Sequence, residues 1–231
     1  MRPPLCEKRR PFFWLNKECV PRVVVSITNP INTSLMTATS IKGTKTEKNL
    51  VIAYMAESAA YSRYTYYAAQ AEKENYFPIA RIFTETAANE LRHGKVFFKF
   101  LQGGNIPVTL GVDAGIIGTT EQNLETAAHE ELVEGTELYR ASAKVAKEEG
   151  FDDIADHFLA IAEIEEHHRR RFIHYLRQVQ EGTVWKRDRP IVWKCLVCGY
   201  EYTGTEPPVE CPACDHPREH YMAMDYVEGL E

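Results

Sequence analysis

Long hydrophobic runs are missing from this 231-residue sequence, in which no stretch approaches the roughly eighteen apolar residues that a transmembrane helix needs. An excess of positive charge is missing as well, because the formal net charge at pH 7 is -6. The composition therefore predicts a protein that binds neither membranes nor nucleic acid. No glycine-rich nucleotide fingerprint is present, so the sequence offers no dinucleotide site of its own.

The first 36 residues differ from the rest of the chain. They contain five of the twelve prolines, six basic residues against two acidic ones, and no helical period. This composition suits an organelle-targeting peptide, a disordered tail, or sequence translated upstream of a start at Met36. We favour the third interpretation, because the residues from Met36 read like a natural N-terminus that leads into a helix. Residues 1–40 are treated as an N-terminal extension, disordered or from a non-native start, and are excluded from the fold.

From residue 47 to about residue 180 the sequence has helical periods and repeats itself. The sequence around Glu57 returns around Glu131 at an offset of 74, and after a slip of one residue the sequence around Glu90 returns around Glu165 at an offset of 75. Two copies of a helical hairpin are therefore expected. The connection between them, some seventeen residues long, is too long for a tight turn and suits a crossover. We predict a mainly α protein with a ferritin-like four-helix bundle over residues 41–181.

Acidic and imidazole side chains occupy positions on these helices where the 3–4 spacing calls for apolar core. Glu165 and His168, for example, lie between Ile161 and Phe172 on one stripe. Unpaired buried carboxylates are costly, and no lysine or arginine lies on these stripes, so metal ions are the natural counter-charge. Two Glu-x-x-His motifs with glutamates on the other helices match a di-metal bundle, and oxygen with nitrogen ligation suits iron or manganese. The predicted bundle ligands are Glu57, Glu90, His93, Glu131, Glu134, Glu165 and His168.

Two C-x-x-C pairs mark residues 191–231, which follow a polar linker at residues 182–190. Their spacing predicts a small metal domain with one four-thiolate site in a reducing compartment, formed by Cys195, Cys198, Cys211 and Cys214. Zinc in a structural ribbon is one candidate for this site. Iron is favoured because the sequences Cys-x-x-Cys-Gly-Tyr and Cys-Pro-x-Cys are typical of rubredoxins, and nearby aromatic residues would shield the metal from solvent.

The helical segment, its ligand pattern and the cysteine module together resemble the rubrerythrins, non-haem di-iron peroxidases, over about residues 41–226. The resemblance implies a di-iron (Fe–O–Fe) centre in the bundle and one rubredoxin-type Fe(Cys)4 iron in a C-terminal rubredoxin-like domain. It also implies that the bridging ligands are drawn from Glu57 or Glu131 and from the motif residues Glu90 and Glu165.

Further residues acquire catalytic roles through the same resemblance. Glu134 stands where the first helix has Ala60, and the family pattern implies that one iron exchanges His93 for Glu134 as its oxidation state changes. Tyr64 and Tyr139 stand where family tyrosines donate hydrogen bonds to ligand carboxylates, although both would also fit as ordinary bundle core.

The function that the resemblance implies is the reduction of hydrogen peroxide to water, an oxidoreductase activity that serves defence against oxidative stress. The four-cysteine iron would return electrons from an external donor protein, either an NAD(P)H-dependent reductase or a rubredoxin. A homodimer and a cytoplasmic location are expected on the same grounds. One alternative is a ferritin-like ferroxidase that handles iron, and another is a structural protein that holds zinc. Glu134 and the cysteine module argue against iron storage, which needs neither.

Overall fold

The computed structural model describes residues 40–111 and 114–226, so the N-terminal extension lies outside the described residues except for Ser40. Two helical hairpins dominate the fold. The first pairs α1 (Lys45–Lys73) with α2 (Phe77–Phe100). In the second hairpin, three consecutive segments form one long helix: α3 (Thr120–Glu131), a π-helical segment (Leu132–Tyr139) and α4 (Arg140–Glu148). This long helix pairs with α5 (Asp152–Glu181). The predicted mainly α fold is confirmed.

Side chains satisfy free amides at the start of α1 and α3. The hydroxyl of Thr44 accepts a hydrogen bond from the Glu47 amide, and the carboxylate of Glu149, at the end of α4, accepts from the Lys45 and Thr46 amides. Helix α3 begins with a reciprocal pair in which the side chain and backbone of Thr119 bond to those of Gln122. These caps fix where the helices begin, because the first amides of a helix have no partner within it.

The bundle core is divided into two apolar clusters with a polar layer between them. One cluster includes Tyr64, Phe83 and Phe172, and the other includes Leu50 and Phe158. On every long helix the chain passes from one cluster, through buried glutamate or histidine, into the other. The buried members of the polar layer are Glu57, Glu90, His93, Glu131, Glu165 and His168. The acidic positions predicted on the apolar stripes are therefore enclosed on both sides by hydrocarbon.

The π-helical segment accounts for the one-residue slip in the internal repeat. Glu57 and Glu131 are 74 residues apart, whereas Tyr64 and Tyr139 are already 75 apart, so the extra residue lies within Leu132–Tyr139. A π turn takes one more residue than an α turn. Continued from Glu131 at helical 3–4 spacing, the apolar stripe of the third helix is expected at residues 138 and 145. That expectation is wrong for this reason, since Tyr139 and Ala146 are the buried residues.

On the first helix, the same 3–4 spacing around Glu57 predicts Tyr54 and Tyr61 in the core, and this prediction is also wrong. Both tyrosines lie at the surface, and the small residues Ala53 and Ala60 face the core in their place. Small side chains on this face let α1 approach its neighbours closely around Glu57. None of the helices in residues 40–111 and 114–226 is long and apolar enough to cross a membrane.

A three-stranded antiparallel sheet forms the C-terminal module, in the order β2 (Glu201–Gly204), β1 (Ile191–Cys195), β3 (Tyr221–Ala223). The segment between α5 and β1, predicted as a polar linker, is partly apolar and packs against the bundle. Trp185 stacks on Tyr76 with ring centroids 5.6 Å apart, and its indole donates a hydrogen bond to the Tyr221 carbonyl at 3.1 Å. These contacts seat the module on the end of the bundle where α1 and α2 meet.

Candidate metal centres

Two overlapping groups of metal-binding side chains form in the polar layer of the bundle. Each group has four donor atoms that lie within 4.8 Å of one another. The groups share Glu90 from α2 and Glu165 from α5, so two cations bound there would be neighbours bridged by these carboxylates. The full groups are Glu57, Glu90, His93 and Glu165, and Glu90, Glu131, Glu165 and His168.

His93 faces three carboxylates through a single ring nitrogen. Its Nδ1 lies 2.9 Å from Glu90 Oε2, 3.0 Å from Glu165 Oε1 and 3.8 Å from Glu57 Oε2. His93 and Glu90 reach the same point because residues three apart share one face of a helix. This convergence is the arrangement expected around one bound cation.

His168 repeats this geometry on the opposite side. Its Nδ1 lies 2.9 Å from Glu165 Oε2, 3.1 Å from Glu90 Oε1 and 3.8 Å from Glu131 Oε1. Each histidine with its group of carboxylates forms one half-site. The histidine–carboxylate distances of the two half-sites agree closely, and the largest difference is that between 3.0 Å for His93–Glu165 and 3.1 Å for His168–Glu90. The internal repeat of the sequence therefore becomes an approximate two-fold symmetry of the site.

The orphaned polar atoms of this layer fit a pair of cations. Oxygens of Glu57, Glu90 and Glu165, together with His168 Nδ1, are buried at ion-pair distances from one another or from His93, but among the described residues none of them makes a well-aligned hydrogen bond. Burial raises the pKa of Glu57 well above its usual range, and the charges of Glu165 and Glu90 raise it further. Burial and the same two charges also raise the pKa of Glu131. Such a cluster is unfavourable as bare carboxylates and favourable as a cation site.

Protons and cations compete for this cluster. Burial lowers the pKa of His93, but the close carboxylates of Glu165, Glu57 and Glu90 outweigh burial and raise the pKa to about 12. Burial raises the pKa of Glu165, whereas the close imidazoles of His168 and His93 bring the pKa down to about 2. Protonated imidazoles thus supply the positive charge that the carboxylates require, and bound metal would replace those protons.

Two tyrosines hold the carboxylates that are not shared between the groups. The Tyr64 hydroxyl donates to Glu131 Oε1 at 2.7 Å, and the Tyr139 hydroxyl donates to Glu57 Oε1 at 2.6 Å. Burial and the neighbouring glutamate charges raise the pKa of both phenols well above the usual value, which keeps each of them a donor. Each tyrosine crosses between hairpins, so both lie in core positions and also contact the site.

Glu134 lies beside the cluster but belongs to neither group of four in this conformation. The residue is half-buried, and burial, followed by the charges of Glu165 and Glu90, raises the pKa of its carboxyl to about 8. The Arg63 charge acts in the opposite direction. The structure thus brings six of the seven predicted bundle ligands together and leaves the seventh nearby as a carboxyl group.

Sequence reasoning missed two glycines that let the ligand helices meet. A Cβ atom at Gly135 would stand 2.6 Å from the Cβ of Glu165, and one at Gly94 would stand 3.2 Å from the Cβ of Glu57. Both glycines therefore mark close contacts behind metal-binding side chains. The available signal was the presence of single glycines within helical patterns, where glycine costs stability unless backbones approach closely.

The four cysteines of the C-terminal module converge as predicted. Cys195 Sγ lies 3.8 Å from Cys214 Sγ, and Cys198 Sγ lies 3.7 Å from Cys211 Sγ. Because metal–thiolate bonds are about 2.3 Å long, sulfurs at the corners of a tetrahedron are about 3.8 Å apart. The geometry is therefore that of a four-thiolate site, with spacing common to iron and zinc.

Comparisons with known proteins match both parts of the chain. The family model described as Rubrerythrin matches residues 48–176, and the one described as Rubrerythrin, rubredoxin-like domain, matches residues 193–222. The chain is 48% identical to a rubrerythrin of Porphyromonas gingivalis, over 80% of this chain and 92% of that protein. It is 44% identical to a rubrerythrin of Nitratidesulfovibrio vulgaris, over 80% and 97% respectively.

A solved structure of nigerythrin in a mixed-valence state shares the architecture, with a TM-score of 0.52, 26% identity, and coverage of 82% of this chain and 95% of that one. Taken with the geometry, these matches confirm the predicted cofactors. The bundle holds a di-iron site with carboxylate and histidine ligands, and the clustered cysteines form a rubredoxin-like iron site. This pair of sites is consistent with defence against oxidative stress.

Proposed function

This chain belongs to the rubrerythrin family, and on that premise we propose that it reduces hydrogen peroxide to water at its di-iron site. The observation that carries the proposal is the pair of overlapping ligand groups, which would hold two irons next to each other through Glu90 and Glu165. A pair of irons held there would supply the two electrons that cleavage of the O–O bond of peroxide requires.

The ligand assignments follow the two groups. Glu57 and His93 would complete the coordination of one iron, and Glu131 and His168 that of the other. Tyr139 and Tyr64 would fix the orientation of the two unshared carboxylates through the hydrogen bonds described above. Ligands held by such contacts keep their geometry while the charge of the site changes.

Reduction of one peroxide to two waters also consumes two protons, and Glu134 is placed to supply one of them. Its carboxyl is close enough to Glu165 and Glu90 to feel their charges, yet it is committed to neither ligand group. A carboxyl in this position can carry a proton to a leaving oxygen as a general acid. It can also turn toward the irons as an additional ligand.

Electrons would return to the bundle through the cysteine module, which follows α5 in the same chain. No glycine-rich nucleotide fingerprint is present, so the electrons would come from another protein, an NAD(P)H-dependent reductase or a rubredoxin. We further propose that the chain works as a homodimer in the cytoplasm, as the family resemblance suggests.

A metal assay combined with two oxidants tests the proposal. The anaerobically purified, reduced protein would be mixed in turn with stoichiometric peroxide and with oxygen while its absorbance is followed. Fast oxidation by peroxide with slow oxidation by oxygen is the expected result. Faster oxidation by oxygen would instead indicate a ferroxidase, and a colourless zinc protein would eliminate both activities.

Replacement of Glu134 tests its role separately. Glu134→Ala should slow peroxide reduction by about 10²- to 10⁴-fold, the usual contribution of a general acid, while the iron content stays close to two per bundle. Glu137→Ala is the matched control, because Glu137 is an exposed glutamate of the same π-helical segment. Loss of both irons from the Glu134 variant would show a purely structural ligand, and equal rates in the two variants would remove its catalytic role.

A further inference from the structure

The two histidines of the bundle turn the same ring nitrogen toward the metal site. In both His93 and His168 the Nδ1 atom lies among the carboxylates, which leaves Nε2 on the outer side of the ring. A neutral imidazole that binds metal through Nδ1 carries its hydrogen on Nε2. An acceptor placed at Nε2 therefore favours the tautomer that binds metal and fixes the orientation of the ring.

His168 has such a neighbour in Asn89. The side-chain nitrogen Nδ2 of Asn89 lies 3.1 Å from His168 Nε2, a distance suited to a hydrogen bond. When Nδ1 binds metal, Nε2 is a donor, so the Asn89 amide must then turn over by 180° and present Oδ1 in place of Nδ2. Asn89 immediately precedes the shared ligand Glu90, and this places its side chain on α2 within reach of α5.

His93 lacks the equivalent contact within the described part of the chain. The internal repeat maps Asn89 onto Ile164, because 89 plus the offset of 75 is 164. Ile164 is 37% exposed and carries no hydrogen-bonding group on its side chain. The two half-sites therefore match in the distances from their histidines to the carboxylates and differ in what supports the outer face of each ring.

We propose that Asn89 is a positioning residue that holds His168 in its metal-binding tautomer and makes the His168 half-site the tighter of the two. Outer partners of histidine ligands typically change metal affinity by about 10- to 100-fold. The half-site of His168 fills first, and that of His93 fills second and empties first. The inference depends on the di-iron assignment and not on peroxide as the substrate, so a measurement of metal affinity tests it independently.

Three variants of the full chain separate hydrogen bonding from packing. Asn89→Leu and Asn89→Asp have nearly the shape of asparagine, but only the aspartate accepts a hydrogen bond from Nε2. Ile164→Asn places the same amide at the repeat-equivalent position, where the two-fold symmetry of the site would bring it beside His93. Each variant would be stripped of its bundle metals while the cysteine site remains loaded, and would then be titrated anaerobically with Co(II) while the absorbance of the bundle sites is recorded.

The native chain should bind two Co(II) ions in separate steps. Asn89→Leu should lower the Co(II) affinity of the tighter step by about 10- to 100-fold, whereas Asn89→Asp should leave that affinity unchanged. Ile164→Asn should reduce the difference in Co(II) affinity between the two steps. The proposal is overturned if the leucine and aspartate variants behave alike, whether both are native-like or both are weakened. It is also overturned if Ile164→Asn leaves the difference in Co(II) affinity unchanged, because the unequal affinities of the two half-sites would then have another source.

Discussion

Replacement of Gly135 by alanine is the most direct test of how the bundle holds its metal ligands. Gly135 lies within the π-helical segment, and its backbone passes directly behind the side chain of Glu165. Glu165 belongs to both ligand groups, so any displacement of its carboxylate affects both metals. A single added methyl group therefore acts on the centre without altering any ligand.

The size of the effect follows from the contact distances. The new Cβ would stand 2.6 Å from the Cβ of Glu165 and 3.3 Å from the carbonyl oxygen of Ala162. Carbon atoms pack comfortably at about 3.5–4.0 Å, so Gly135 and Glu165 must separate by about 1 Å. Overpacking of this kind costs about 1–3 kcal/mol, and the better helix propensity of alanine offsets up to about 1 kcal/mol. The net loss of stability should be about 1–2 kcal/mol.

Thermal unfolding and metal analysis would measure this loss. For a protein of this length a cost of about 1–2 kcal/mol lowers the melting temperature by roughly 2–8 °C. Iron in the bundle should fall for both sites together, since the displaced carboxylate serves both. Gly111→Ala is the matched control, because a Cβ atom at Gly111 meets nothing within 4 Å.

Replacement of Gly94 by alanine is a milder form of the same perturbation. Gly94→Ala brings its Cβ to 3.2 Å from the Cβ of Glu57, a milder overlap on a ligand of one group only. The loss of melting temperature in Gly94→Ala should therefore lie between those of the Gly111 and Gly135 variants, and iron should fall at one site only. Native melting temperature and full iron content in Gly135→Ala would refute the reasoning that close backbone approach positions Glu165.

Three further outcomes are expected. Tyr139→Phe removes the 2.6 Å hydrogen bond to Glu57 and should lower the free energy of unfolding in urea by about 1–3 kcal/mol, and an unchanged value would contradict a structural role for the hydroxyl. Glu149→Ala should cost about 1 kcal/mol at pH 7, since the carboxylate caps α1. Burial raises the pKa of Glu149, but hydrogen bonds from Thr46 outweigh burial and lower the pKa below its usual value. The stabilisation by this cap is therefore present above the usual glutamate pKa and should vanish as the pH falls below about 4. Cys198→Ser should abolish turnover with a reductase while sparing a single oxidation of the reduced bundle by peroxide, and equal loss of both would indicate damage to the bundle itself.

Most of the bundle could be predicted because its information is periodic. A carboxylate on an apolar stripe is visible in sequence, and the return of Glu90 and His93 at a fixed offset makes a coincidence improbable. The same holds for the cysteines, whose spacing alone brings four sulfurs together. In both cases the residues that define the chemistry also define the pattern.

The remaining features escaped because they depend on contacts between segments. Tyr54 and Tyr61 have the spacing of core residues, yet the bundle places alanines inside and leaves these rings at the surface. Trp185 belongs to a segment of polar composition, and only the position of Tyr76 reveals that it packs. Likewise, the carboxyl of Glu134 has the same sequence signature as a ligand, and only the geometry separates it from both groups of four.

The π-helical segment, Leu132–Tyr139, also has a consequence for how this gene can change. Elsewhere in the four helices, loss of one codon would turn every downstream residue by about 100° and bring charged side chains into the core. Within this segment the loss would convert a π turn into an α turn and leave Tyr139 still facing Glu57, as Tyr64 faces Glu131 in the unexpanded repeat. One codon therefore separates a third helix with a π turn from one with regular α-helical register, and the fold can cross that step in either direction.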